Sequence, residues 1–297
     1  MSEQVRVGRR VVPVSNRNKV LFPDDGVTKG DLIDYYVAIA PKMVPHVRNR
    51  PLTMERFPDG LAAQRIFQKN ISAYFPSWIP RASVGKKKGT VTHVLANDAA
   101  TLAYLANQAV VTHHVWLSTA RSPTKPDQIV FDLDPTSDDF GAVRRVARTL
   151  RELLDDLGLV PFVKTTGSRG LHVVVPIRPA LEFDAVYVFA AAVGRRMVAE
   201  HPDLLTTEFR KANRGDRIFF DINRNAYAQT AVAPYSLRAR PGAPVALPIG
   251  WDEVASARLR PDGYRMRDAL ERPDAWAGFR SAARGLRAAA RTLGVPP

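Results

Sequence analysis

Cysteine is missing entirely from this 297-residue chain. Disulfide bridges, thiolate zinc centres and a cysteine nucleophile are thereby excluded, and a reducing cytoplasm is the expected setting. No apolar run is long enough to span a bilayer, and the opening segment MSEQVRVGRR lacks the hydrophobic core of a signal peptide. No membrane partner is expected. Internal repeats and long low-complexity tracts are also absent. Negative charge is scarce: 29 Asp and Glu face 43 Lys and Arg, a net charge of +14. An excess of that size favours a polyanionic partner, with nucleic acid as the leading class.

The most specific feature present is Ile129-Val130-Phe131-Asp132-Leu133-Asp134-Pro135, an apolar run that delivers two carboxylates at positions i and i+2. Alternate side chains of a strand share a face, so Asp132 and Asp134 project together. Two neighbouring carboxylates repel each other unless a cation joins them. A hard divalent ion with oxygen ligands, Mg²⁺ or Mn²⁺, fits that need. The plain alternative is a polar strand end running into the turn at Pro135.

A second segment, Thr165-Thr166-Gly167-Ser168-Arg169-Gly170-Leu171-His172, reads as a glycine-bracketed turn between two strands. It offers a hydroxyl, a guanidinium, an imidazole and backbone N–H groups left free to face an anion, a donor set suited to a triphosphate. The plain alternative, which the glycines alone favour, is an ordinary hairpin with an outward Arg. A third, Lys211 to Asp221, is a basic loop feeding a hydrophobic strand that ends in an acid. Beside the first strand, Asp221 would complete a three-carboxylate site, with Arg214 and Arg217 able to reach phosphates and Asp216 left as a turn residue. Arg238 and Arg240 follow at strand spacing, and Gly85–Gly89 encloses Lys86, Lys87 and Lys88 in a basic loop.

The wider pattern predicts an α+β fold. A helix begins at Thr28 with Asp31 as its capping partner, and another runs from Asn97 to Gln108. The second half reads strand–helix–strand–strand–helix–strand, with an amphipathic helix burying Val143, Val146, Leu150, Leu153, Leu154 and Leu157 and closed by Gly158. That order predicts an RNA-recognition-like, mixed or antiparallel sheet. A closing helix is expected over about 274–293, with Arg280, Arg284, Arg287 and Arg291 on one solvated face. The chain is read as one catalytic domain with an N-terminal half (about 1–120), a catalytic half (about 121–245) and an Arg-rich extension (about 246–297). On residues alone, a nucleotidyltransferase, a metal-dependent nuclease and a non-catalytic DNA end-binding or synapsis module all stay open.

Together these segments resemble the three motifs of the archaeo-eukaryotic primase superfamily, and most closely the polymerase domain of bacterial ligase D with its stand-alone PrimPol C-type relatives. The likeness runs from about Ser15 to Arg240. It includes Asn16-Arg-Asn-Lys19-Val-Leu-Phe-Pro, Thr28-Lys29-Gly-Asp, Arg50-Pro-Leu-Thr, Phe67-Gln-Lys69 and Ala233-Pro-Tyr-Ser-Leu-Arg238. The resemblance implies a primase-polymerase fold, an RNA-recognition-like half packed with a second α/β half, and template-dependent addition of nucleotides to a primer 3′-hydroxyl at short gaps or break ends. Asp132, Asp134 and Asp221 would hold two Mn²⁺ or Mg²⁺ ions. Ser168, Arg169, His172, Arg214 and Arg238 would hold the nucleoside triphosphate, with Arg169 where family members often carry lysine.

Phe67 would stack on the incoming base, and His114 would read the sugar and favour ribonucleotides. By strand alternation His113 is structural. Asn16, Lys19 and Lys29 would grip a downstream 5′-phosphate, while Arg56, Lys69 and Lys86–Lys88 would contact template or broken DNA. No ligase signature or His-rich nuclease segment is seen, so a separate ATP-dependent ligase and a Ku-type protein are expected partners, in end joining or excision repair in the bacterial nucleoid.

Overall fold

In the computed structural model, residues 2–85 and 89–296 are described, so the expected contacts of Lys86, Lys87 and Lys88 fall outside the described residues. The chain divides into two compact units. The first comprises Met1–Arg121, Val232–Ala246 and Tyr264–Pro273; the second comprises Ser122–Ala231, Leu247–Gly263 and Asp274–Pro297. The last fifty residues are therefore shared between the units.

In the first unit, Thr28 caps the helix Lys29–Val47: its Oγ1 accepts from Asp31 N, and Asp31 Oδ2 accepts from Thr28 N, the reciprocal pair expected from the sequence. The helix buries Leu32, Tyr35, Tyr36, Ile39 and Met43 and packs on the helix Ala99–Asn107. Beside them the strands Ile66–Gln68, Leu52–Arg56 and Val110–Trp116 lie antiparallel in that order. The returning Ala233-Pro-Tyr-Ser-Leu segment is clamped to this sheet. Ala233 N donates to His113 O, His113 N donates to Ser236 Oγ, and Leu237 N donates to Tyr36 Oη. Burial fits the alternation argument: His113 is fully buried with its ring 4.6 Å from that of Tyr36, and His114 on the opposite face is only partly covered.

The second unit carries a six-stranded sheet in the order Leu205–Thr206, Ile218–Asp221, Gln128–Asp134, Leu171–Pro176, Phe162–Thr165, Pro248–Ile249. All its neighbours are antiparallel except the first pair. The helices Phe140–Asp156 and Phe183–Glu200 complete the expected strand–helix–strand–strand–helix–strand order. Val143, Val146, Leu150, Leu154 and Leu157 are buried as patterned, whereas Leu153 is only partly covered. Gly158, at φ 72°, ends that helical segment in the left-handed region.

The closing helix is a correction. Only Arg287–Thr292 is helical, because Gly278 turns at φ 85° and Arg284 bridges to Ile177 beside the sheet. Trp276 and Phe279 are buried, and Trp276 Nε1 donates to Val163 O. The arginine stripe expected there does not exist. Among the described residues, no helix is long and apolar enough to cross a membrane.

Candidate active site

Strand register assembles the core of the site within the second unit. Asp132 lies directly opposite Asp221 on one side and His172 on the other, and His172 lies opposite Lys164. Cross-strand partners share a face, so Asp221, Asp132, His172 and Lys164 form a row across four strands, with Asp134 two residues further along the same face. Close approach of backbones makes this possible. A Cβ on Gly170 would stand 2.0 Å from Leu133 O, between the two aspartates, so only glycine lets the turn close there.

Each buried acid has its oxygens allotted. Asp132 Oδ1 lies 3.3 Å from His172 Nε2, and its Oδ2 lies 3.3 Å from Arg224 Nε. Asp221 Oδ1 accepts from Asn223 N and Nδ2, and its Oδ2 lies 3.6 Å from the same Arg224 Nε. Asp134 is half-exposed and stands 3.9 Å from Arg169.

The electrostatics follow from these neighbours. Burial opposes the charge on Asp132, but His172, Arg224 and Lys164 outweigh it and hold the carboxyl well below the usual range. Burial, with Asp132 nearby, pushes Asp134 up despite Arg169, Arg214 and Lys211. Burial also pushes Asp221 up, reinforced by Asp132 and countered by Asn223 and Arg224. His172 is driven down to about 4 by burial and by Lys164, so at neutral pH it is a neutral imidazole donating Nε2–H to an ionised Asp132. Two of the three carboxylates are thus penalised as anions and would gain from a shared cation. The oxygen donor set fits Mg²⁺ or Mn²⁺. Among the described residues no three acidic or imidazole side chains are already closed around one point, and Arg224 lies between two of the candidates.

The glycine turn follows the ordinary-hairpin alternative. Its N–H groups at Ser168 and Gly170 are directed to Thr166 Oγ1 and are not turned towards an anion. A local side-chain acceptor outcompetes an external one. Ser168 stays partly open and the Arg169 side chain half-exposed. Arg214 is buried. It donates to Glu208 O and Phe209 O, and its guanidinium stands 3.7 Å from the Phe219 ring centre, so it organises the loop before the Asp221 strand.

The first unit brings two further groups together. Phe67 is half-exposed, with its ring 5.4 Å from that of His114. His114 Nε2 lies 3.4 Å from Glu55 Oε2, and Glu55 Oε1 accepts from Arg65. Burial would raise the Glu55 carboxyl, yet His114, Thr112 and Arg238 bring it down to about 2. Arg56 is held by Gln108 O, Gln68 Oε1 and Tyr74 Oη, while Lys69 is exposed.

The second group is Asn16, Lys19 and Lys29, drawn together as Lys19 N donates to Asn16 O and Lys29 N donates to Lys19 O. Lys29 is buried, with Nζ near Ser15 Oγ and Asn107 O; burial and the charge of Lys19 lower its pKa. Lys19 itself pairs with Asp59 at 3.0 Å.

Sequence reading missed Arg224, Lys164 and Glu55. For Arg224 a signal existed: an acid ending a strand, followed by Asn at i+2 and a cation at i+3. Nothing in the local pattern singled out Glu55 or Lys164, whose significance comes from cross-strand register.

The family model for the LigD primase-polymerase domain matches residues 28–278. The multifunctional non-homologous end joining protein LigD of Mycolicibacterium smegmatis is 37% identical over 266 residues, covering 89% of this chain and 35% of that protein. The bifunctional LigD of Bacillus subtilis is 31% identical over 257 residues, covering 86% of this chain and 41% of that protein. The chain therefore spans well under half the length of these relatives. The solved polymerase domain of Mycobacterium tuberculosis ligase D, in complex with DNA, superposes with a TM-score of 0.84 at 34% identity, over 96% of this chain and 99% of that one. The chain belongs to the LigD primase-polymerase domain family, a family of metal-dependent DNA nucleotidyltransferases.

Proposed function

We propose that this chain works as a single catalytic domain, a template-dependent repair polymerase that extends a primer 3′-hydroxyl at short gaps or broken ends. The observation that carries this reading is the register Asp221–Asp132–His172, which sets two buried acids face to face with Asp134 alongside. Asp132, Asp134 and Asp221 would hold two Mg²⁺ or Mn²⁺ ions. When bound, such ions lower the pKa of the attacking hydroxyl and neutralise charge on the departing pyrophosphate.

The chain's own residues position and neutralise. His172 donates to Asp132 and keeps its carboxylate ionised and oriented. Ser168 and Arg169 present a hydroxyl and a guanidinium for triphosphate oxygens, and Arg214 and Arg238 add positive charge. Phe67 offers a stacking face for a base, a contact that tolerates any base. His114, held by Glu55, reads the sugar 2′-hydroxyl and favours ribonucleotides. Asn16, Lys19 and Lys29 suit a terminal phosphate dianion, whose charge would offset the burial and the Lys19 repulsion that lower Lys29. Arg56 and Lys69 would contact template. A gapped or broken DNA with a 5′-phosphate and an NTP or dNTP are the proposed substrates, with a DNA ligase activity and a Ku-type protein as partners.

The test is extension of a labelled primer on a one-nucleotide gap, with Mn²⁺ and NTPs, with and without the 5′-phosphate. Lengthened products, favoured by the phosphate, are expected. Shortened products would point to a nuclease, and DNA binding without extension would point to an end-binding module.

A further inference from the structure

Arg224 is spoken for by two acids at once. Its Nε lies 3.3 Å from Asp132 Oδ2 and 3.6 Å from Asp221 Oδ2. The other oxygen of each acid is already committed, Asp132 Oδ1 to His172 and Asp221 Oδ1 to Asn223. A cation bridging the two acids through their Oδ2 atoms would compete with Arg224 for that pair. The backbone beneath Arg224 is pinned. Asn225 is fully buried, its Nδ2 donates to Val130 O and Ile222 O, and its Oδ1 accepts from Val130 N. The Arg224 side chain, by contrast, is 41% exposed, so it can leave while the chain around it stays in place.

We propose that Arg224 is a built-in counter-cation that competes with a divalent ion for Asp132 and Asp221, and so sets how tightly that ion binds. The inference rests on the reading of these acids as a metal site. A guanidinium suits this role because it is planar, permanently charged and weakly hydrated, so it can reduce the repulsion between two carboxylates and still exchange. By holding Asp132 and Asp221 facing each other, Arg224 keeps the pair ordered. By carrying charge into the space between them, it raises the concentration of divalent ion needed to displace it. Arg224 is thus a positioning residue whose loss should tighten metal binding, the reverse of losing a metal ligand.

The experiment is Mn²⁺ titration of the full chain, free Mn²⁺ being read by its electron paramagnetic resonance signal, with Arg224→Gln, Arg224→Lys and Asp132→Ala alongside. Arg224→Gln is expected to bind Mn²⁺ at least fivefold more tightly than the native chain. It should also melt at a lower temperature without metal and gain more on adding Mn²⁺. Arg224→Lys, which keeps the charge as a more strongly hydrated ammonium, should fall between the two, and it serves as the deciding variant if circular dichroism shows Arg224→Gln unfolded. Equal or weaker Mn²⁺ binding by the deciding variant, with the native chain binding normally, overturns the proposal. If the native chain binds no Mn²⁺, or Asp132→Ala binds as well as it does, the underlying metal-site reading fails and the proposal falls with it.

Discussion

Asp132 and Asp134 are two residues apart yet electrostatically opposite: one is held ionised by His172, Arg224 and Lys164, and the other is pushed up by burial and by its neighbour. The sign of that difference makes a prediction. A carboxyl raised in the folded state is penalised as an anion, and the penalty disappears as pH falls through its raised pKa. Asp134→Asn should therefore raise the melting temperature of the metal-free protein at pH 7. Because the side chain is half-exposed, the gain should be modest, roughly 1–3 °C. Calorimetry at pH 7 and again in mild acid checks this, since the gain should shrink as the native Asp134 takes up its proton. A second residue-level prediction concerns Glu55. With its carboxyl at about 2, it is an anion throughout the working range and orients His114. Glu55→Gln should narrow the ratio of ribonucleotide to deoxyribonucleotide incorporation in the same direction as His114→Ala, measured by competing the two substrates on one template. An unchanged ratio would separate Glu55 from sugar reading.

Among the elements, the hairpin carrying Gly170 is the least tolerant. A methyl group there would collide with Leu133 O and force apart the strands that bear Asp132 and His172. Gly170→Ala should cost at least about 2–3 kcal/mol of stability, read as a lower urea midpoint, and should weaken metal binding with it. The elements themselves were largely legible. Capping at Thr28, the apolar stripe from Val143 to Leu157 and the alternation that buries His113 all act locally, and the fold obeys them. The closing helix misled because the spacing of arginines looks helical. The buried Trp276 and Phe279 and the left-handed Gly278 lock that stretch into turns. At the site, the three aspartates could be read from acids placed on apolar strands. The saturation of the Ser168 and Gly170 N–H groups by Thr166 and the pairing of Arg224 with Asp221 are local, carried by a hydroxyl beside the turn and a cation at i+3. The positions of Lys164 and Glu55, by contrast, depend on cross-strand register that no short segment encodes.

For the whole molecule, +14 of net charge is expected to make DNA binding fall steeply with salt. Lys19→Ala combined with Lys29→Ala should reduce the advantage of a 5′-phosphorylated gap by more than it reduces binding to unphosphorylated DNA, as read by fluorescence anisotropy at fixed salt. Equal losses on both substrates would mark these lysines as general backbone contacts. The central claim, that Asp132, Asp134 and Asp221 form the metal-holding floor of a nucleotidyltransferase, is tested most directly by anomalous diffraction from crystals of the protein grown with Mn²⁺, DNA and a nucleotide. Mn²⁺ peaks are expected with oxygens of these three aspartates as ligands, at about 2.0–2.3 Å, and with Arg224 withdrawn from them. Mn²⁺ bound elsewhere, with Arg224 still between Asp132 and Asp221, would contradict that claim.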